Sequence, residues 1–164
     1  MCIRDSNYTA STRLILKQCG LSDEDIDNRL IKVHGEASNN DIIFGVEDNA
    51  GIKKEHVFLR KAYNIKYKAL NFSELYDRIK SVAIFGHSLG ETDHTYFNKL
   101  FQESCMYNKF STNNNKEFWL FYYKENGYHC MMQQLDSLTH NSLTSFRQYN
   151  RVNFINTDKE KVFI

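Results

Sequence analysis

Ser88 stands between two glycines in the run Ile84-Phe85-Gly86-His87-Ser88-Leu89-Gly90-Glu91-Thr92-Asp93-His94. On a strand-to-helix turn, Gly-x-Ser-x-Gly is the pattern of a nucleophile elbow, which lifts a serine hydroxyl clear of the sheet. The same turn suits a second chemistry. Gly86 lets backbone approach a ligand. Exposed N–H groups and the Ser88 hydroxyl can then hold phosphate or ribose oxygens. Asp93 can accept from a ribose hydroxyl, or simply cap the helix that follows. A serine hydrolase needs an acid and then a histidine further along the chain. The acids after the turn are Asp93, Glu103, Glu117, Asp136 and Asp158, and the histidines are His94, His129 and His140. Asp136 and His140 fall on what reads as one helix, whereas a triad draws them from separate loops. The helix after an elbow usually opens with small residues, and Glu91 to Tyr96 are bulky and polar. A ligand-binding turn is therefore favoured, and a hydrolase using Gly86, Ser88 and Gly90 stays as the alternative.

The elements that would position this turn follow from apolar periodicity. Ser81-Val82-Ala83-Ile84-Phe85 reads as a buried strand broken by Gly86, and a helix begins near Asp93 with Tyr96, Phe97, Leu100 and Phe101 facing inward. Upstream, a helix capped by Thr9 or Ser11 carries Leu14, Ile15 and Cys19 and ends at Gly20. Leu21 to Asn28 is acidic and reads as exposed. Leu30 to Val33 is a strand stopped by His34-Gly35, and Asp41 to Val46 is a second apolar run, in a hairpin or as a neighbouring strand. Val57, Leu59, Ala62 and Tyr63 lie at mixed helical spacing and are expected to face a core. Asn71 to Glu74 opens a helix carrying Leu75, Tyr76 and Ile79. Phe118 to Tyr123 is an aromatic strand, Met131, Met132, Leu135 and Leu138 form a helix stripe, and Val152 to Ile155 is a last strand. Alternating strands and helices predict an α/β fold with a mostly parallel sheet.

Composition narrows the partners. With 21 basic and 20 acidic residues the net charge is +1, which gives no strong drive toward nucleic acid or anionic lipid. No apolar run reaches the roughly 20 residues that span a bilayer. Four scattered cysteines without a Cys-x-x-Cys pair fit a reduced, cytoplasmic setting. The histidines and cysteines show no zinc spacing, so no metal is expected.

Four stretches occur in order: Asn7-Tyr8-Thr9, Ile31-Lys32-Val33-His34-Gly35, Ile42-Ile43-Phe44-Gly45, and Ile84 to His94. This ordered set resembles the bacteriophage abortive infection AbiH family from Asn7 to at least Phe101, and more loosely to Ile155. The long G-H-S-L-x-x-T-D element is its specific part. The resemblance implies an N-terminal part, opening with a strand and a Gly-Asn-Gly-Phe-Asp-like turn, that this sequence lacks. Met1-Cys2-Ile3-Arg4-Asp5 reads as a translated sequencing adapter. Residues 1–5 are thus expected to be foreign, and residues 6–164 to be the C-terminal part of a single AbiH-like α/β domain.

The same order is similar to the sirtuin-like NAD-binding fold of antiphage defence proteins. That resemblance implies a partial Rossmann-like sheet with flanking helices, lacking its N-terminal strands. It implies NAD as the substrate, with Asn7 orienting the nicotinamide ribose or a water and His34 acting as general base. Tyr8, Gly35, Gly86, His87, Ser88 and Asp93 would contact the nucleotide. The sequence departs from the pattern at Thr9, where an aspartate is typical. The implied role is antiphage defence by abortive infection, with a nucleotide or a phage-derived trigger as partner. A non-catalytic sensing module, using the acidic Asp23-Glu24-Asp25 segment and the Asn-rich loop, is the other alternative.

Overall fold

The computed structural model describes residues 3–5, 10–32, 35, 37–42, 45–46, 50–60, 63, 76–106 and 115–159. The chain forms two compact units, residues 1–70 and 71–164. Every strand pairing in the described residues is parallel, and helices separate the strands. The chain is an α/β protein with a mostly parallel sheet, as alternation of apolar runs predicts.

In the first unit, strand β1 (Ile3–Asp5) lies beside β2 (Leu30–Lys32) with Asp5 opposite Lys32. Lys32 Nζ sits 2.7 Å from the buried Asp5 carboxylate. Helices α1 (Ser11–Gln18) and α2 (Asp23–Arg29) connect the two strands. Gly20, at φ +85°, turns the chain out of α1. Ser22 caps α2 by accepting the Asp25 N–H at 3.1 Å, and Ile26 is its fully buried residue. Arg13 bridges Asp23 and Asp27, and Lys17 pairs with Asp23 at 2.8 Å. Asp27, then Asp23, hold the Arg13 guanidinium above its ordinary pKa. Lys17 and Arg13 hold the Asp23 carboxyl below its own. All these side chains are solvated, so the cluster orients α1 against α2 more than it stabilises them.

The second unit carries the turn. Its sheet has the order β3 (Ser81–Ile84), β4 (Glu117–Tyr122), β5 (Arg151–Asn156), with Ile84, Leu120 and Phe154 in register. Helix α3 (His94–Ser104) joins β3 to β4, and α4 (Lys124–Leu138) and α5 (Leu143–Tyr149) join β4 to β5. Alternation puts Val82, Ile84, Phe118, Leu120, Val152 and Phe154 on one face. The helices pack on that face. Phe101 of α3 stacks on Phe118 at 5.7 Å, Phe146 of α5 meets Phe118 at 4.8 Å, and Tyr128 of α4 meets Phe154 at 5.4 Å. At the amino ends of β4 and β5, fully buried Lys116 donates to the carbonyls of Tyr76 and Ile79, at 2.7 and 2.8 Å. Its ammonium also lies 3.9 Å over the Tyr76 ring. Desolvation lowers the Lys116 pKa. Asn150 accepts the Lys116 N–H and donates to the carbonyls of Ser104 and Phe146, tying α3 and α5 to the sheet base.

Several expectations need correction. The acidic segment is mostly exposed as expected, apart from buried Ile26, but Asp23–Arg29 within it forms a helix. Ala10 occupies the cap position of α1 without a side-chain bond, so Ser11 does not cap it. Val46 makes an isolated parallel bridge with Arg60, while β2 pairs with β1. Leu59 and Tyr63 are exposed, at 45% and 64%. Lys54–Leu59 is a 3-10 helix, whose three-residue period aligns Lys54 with Val57 and leaves Leu59 on another side. Thr9, Ala62 and Asn71 to Leu75 lie outside the described residues.

Two outcomes test this packing. Lys116→Met leaves two carbonyls without their donor and should cost about 1–3 kcal/mol in urea unfolding; wild-type stability would show that the lysine contributes nothing net. Cys105, which donates to the Phe101 carbonyl at 3.2 Å, is pushed by burial from 9.0 up to about 11. Because the folded pKa is the higher one, the fold favours the protonated thiol. That contribution is complete below pH 9 and is lost as pH rises from 9 toward 11. Because the thiolate is the reactive form, iodoacetamide in mildly alkaline buffer should modify exposed Cys19 and Cys130 well before Cys105. Equal rates at the three would contradict the assigned burial.

Candidate functional site

The turn starts where β3 loses its ladder. Ile84 is the last paired residue, and Phe85 leads out of the sheet to Gly86 at φ +65°. A side chain at Gly86 would meet no atom within 4 Å. The glycine is therefore required by backbone conformation alone, and the space beside it is open. Ser88 follows with its side chain exposed. Leu89 is the reverse case: its side chain is fully buried while its backbone is left-handed at φ +54°. Gly90 leads into a 3-10 turn, Glu91–Asp93, which runs into α3. A Cβ on Gly90 would lie 3.4 Å from the Ser88 hydroxyl.

His87 and Asp93 are brought together. His87 Nε2 lies 3.3 Å from an Asp93 carboxylate oxygen, and His87 Nδ1 accepts the Leu89 N–H at 2.9 Å. Phe97 of α3 meets the His87 ring edge at 5.2 Å. Asp93 holds the cap position of α3, yet its side chain makes no capping bond, so capping does not explain its carboxylate. His94, which sequence reasoning did not place in the ligand turn, lies 3.1 Å through Nε2 from the Leu89 carbonyl and 2.8 Å from Gln134 Oε1 of α4. No local sequence pattern marks this role, because one of its partners is a turn carbonyl and the other an amide 40 positions further on.

This geometry separates the two chemistries of Ser88. Both nitrogens of His87 are engaged elsewhere, and among the described residues no histidine or carboxylate bonds to Ser88 Oγ. The left-handed positions of the turn are Gly86 and Leu89; Ser88 is not one of them. Gly86, His87, Ser88 and Asp93 form one local cluster in the second unit. Gly35 belongs to the first unit, at φ +73°, where a Cβ would come within 2.1 Å of the Asp41 carbonyl oxygen. Asn7, Tyr8 and His34 lie outside the described residues. Among the described residues, no cluster of three or more His, Cys, Asp or Glu side chains is placed to hold a metal ion.

The two glycines should therefore respond differently. Gly86→Ala meets only the left-handed backbone penalty of about 1–2 kcal/mol. Gly35→Ala adds a backbone collision and should cost clearly more than about 2 kcal/mol. Amide exchange resolved by unit reads both, and equal costs would overturn the assignment.

The model of a family described as "bacteriophage abortive infection AbiH" matches residues 5–123, well over half of the chain. The match contains β2 to β4 and the whole turn. No curated protein and no solved structure matches the chain. No helix among the described residues is long and apolar enough to cross a membrane. From its sequence, the chain belongs to the AbiH family of bacteriophage abortive infection proteins.

Proposed function

We propose that this chain is part of an antiphage defence protein of the abortive infection type, whose Gly86–Asp93 turn binds NAD or a related nucleotide. The observation that carries it is the open space beside Gly86, next to the exposed Ser88 hydroxyl, at the carboxyl end of a parallel strand. Ligands of parallel α/β sheets bind outside the carboxyl ends of the strands. Backbone at Gly86 can approach a phosphate or ribose without a side chain between them, and Ser88 offers a hydroxyl that donates and accepts. The Asp93 carboxylate, turned toward His87 instead of capping α3, keeps negative charge near the turn. That suits a ribose hydroxyl better than a second phosphate.

Cleavage of NAD through Asn7 and His34 is what the sirtuin-like resemblance implies. In that chemistry Asn7 orients the nicotinamide ribose or the attacking water and His34 takes a proton from a ribose hydroxyl or that water; the water oxygen bonds to the ribose C1′ as the glycosidic bond breaks, giving ADP-ribose and nicotinamide.

Incubating the intact protein with NAD should release nicotinamide, and His34→Ala should slow release about 10²–10⁴-fold, the usual worth of a general base. No release from the wild type removes NAD hydrolysis, and an unchanged rate in His34→Ala removes His34 from the step. A fluorophosphonate should leave Ser88 unlabelled; an adduct there would restore the hydrolase.

A further inference from the structure

Leu89 is the point from which the turn is held. A leucine takes φ +54° only where its surroundings impose that conformation. Burial of its side chain supplies one constraint. Two histidines supply the rest, because each takes one of its backbone polar groups. The Leu89 N–H donates to His87 Nδ1 at 2.9 Å. The Leu89 carbonyl lies 3.1 Å from His94 Nε2.

Each ring is itself fixed. Because His87 Nδ1 accepts, the proton of the neutral ring is on Nε2, facing Asp93 at 3.3 Å. His94 Nε2 faces two oxygens, those of Leu89 and Gln134, at 3.1 and 2.8 Å. Two acceptors require that Nε2 carries the hydrogen and shares it. The series Asp93–His87–Leu89–His94–Gln134 thus links the turn, the start of α3 and α4. A lone hydrogen bond would be a weak constraint, but here both backbone groups of one residue are held at once.

We propose that His94 is a positioning residue for the Gly86–Ser88 turn. By donating to the Leu89 carbonyl while Gln134 holds its ring, it locks the left-handed backbone that presents Gly86 and Ser88 on the open side. His87 completes the clamp from the N–H side and acts through Leu89 instead of touching the ligand. That the presented groups meet a nucleotide rests on the function proposed above; the clamp does not.

The test uses the intact protein with three variants. His94→Phe keeps a ring but removes the donor, His94→Gln keeps a side-chain N–H, and Gln134→Leu removes the acceptor on α4. Amide exchange across residues 86–90, the ring-nitrogen NMR signals of His87, and calorimetric titration with ADP-ribose are read for each. His94→Phe should speed Leu89 exchange about fivefold, the change one lost hydrogen bond produces. It should also shift the His87 Nδ1 signal, as its donor moves away, and weaken ADP-ribose. His94→Gln should restore all three. A general loosening of α3 would also move Asp93 and Phe97 against His87, so rescue by His94→Gln, which restores only a side-chain N–H donor, is the readout that separates the clamp from it. Unchanged Leu89 exchange and unchanged His87 signals in His94→Phe overturn the clamp. If that variant does not fold, the same null result in Gln134→Leu overturns it. Wild-type protein that binds no ADP-ribose, with a turn loosened by His94→Phe and restored by His94→Gln, keeps the clamp and removes the nucleotide function.

Discussion

Phe118 is the side chain on which the second unit depends. It is fully buried near the amino end of the middle strand, and it touches both Phe101 of α3 and Phe146 of α5. Those two rings also meet each other at 5.5 Å. Three aromatic rings therefore fix two helices against one strand, and geometry this specific resists sliding. A slip of β4 by one residue would turn Phe118 and Leu120 to the opposite face and empty this cluster. The register that pairs Ile84 with Leu120 is thus set by packing at a distance. That register decides where β3 ends and the turn begins.

The turn inherits rigidity from the same source. Helix α3 is pinned by Leu100 and Phe101, both fully buried, and by the Asn150 bond to the Ser104 carbonyl. With its far end fixed, its first residues stand in a defined place. Asp93, His94 and Phe97 can then face His87 and Leu89 from one rigid element. A site supported by a helix and a strand end is held more closely than one carried on loops.

The sheet of the second unit was legible because its strands are apolar over several residues and its long helices repeat at helical spacing. The turn was legible for a different reason: Gly86 breaks a strand at a known kind of position. The two short helices that the sequence hides share one physical cause, which is that few of their side chains face the core. Helix α2 buries only Ile26 and α5 only Phe146, so neither shows a stripe. The Ser22-x-x-Asp25 cap was the available signal for α2. Leu59 lies on a 3-10 backbone with a period of three, which a 3.6-residue stripe does not fit. His94 was missed because its role arises from a carbonyl in the turn and an amide 40 positions further on, and neither leaves a local pattern.

The location of strain explains why Gly-His-Ser-Leu-Gly can match an elbow without working as one. An elbow concentrates its strain at the serine, since that is what exposes the hydroxyl to a base and to a substrate carbonyl. In this turn the left-handed positions are Gly86 and Leu89, one two residues before Ser88 and one immediately after it. Gly86 bears its conformation at little cost, because it has no Cβ. Leu89 bears a real penalty, and its burial and the two histidine bonds offset it. Ser88 lies between them, outside the left-handed region and exposed. Its hydroxyl is available to a ligand that arrives, but nothing among the described residues activates it. A clamp built around Leu89 has a purpose when neighbouring backbone must keep one shape for a partner molecule, and Gly86 is the neighbour left open to receive one.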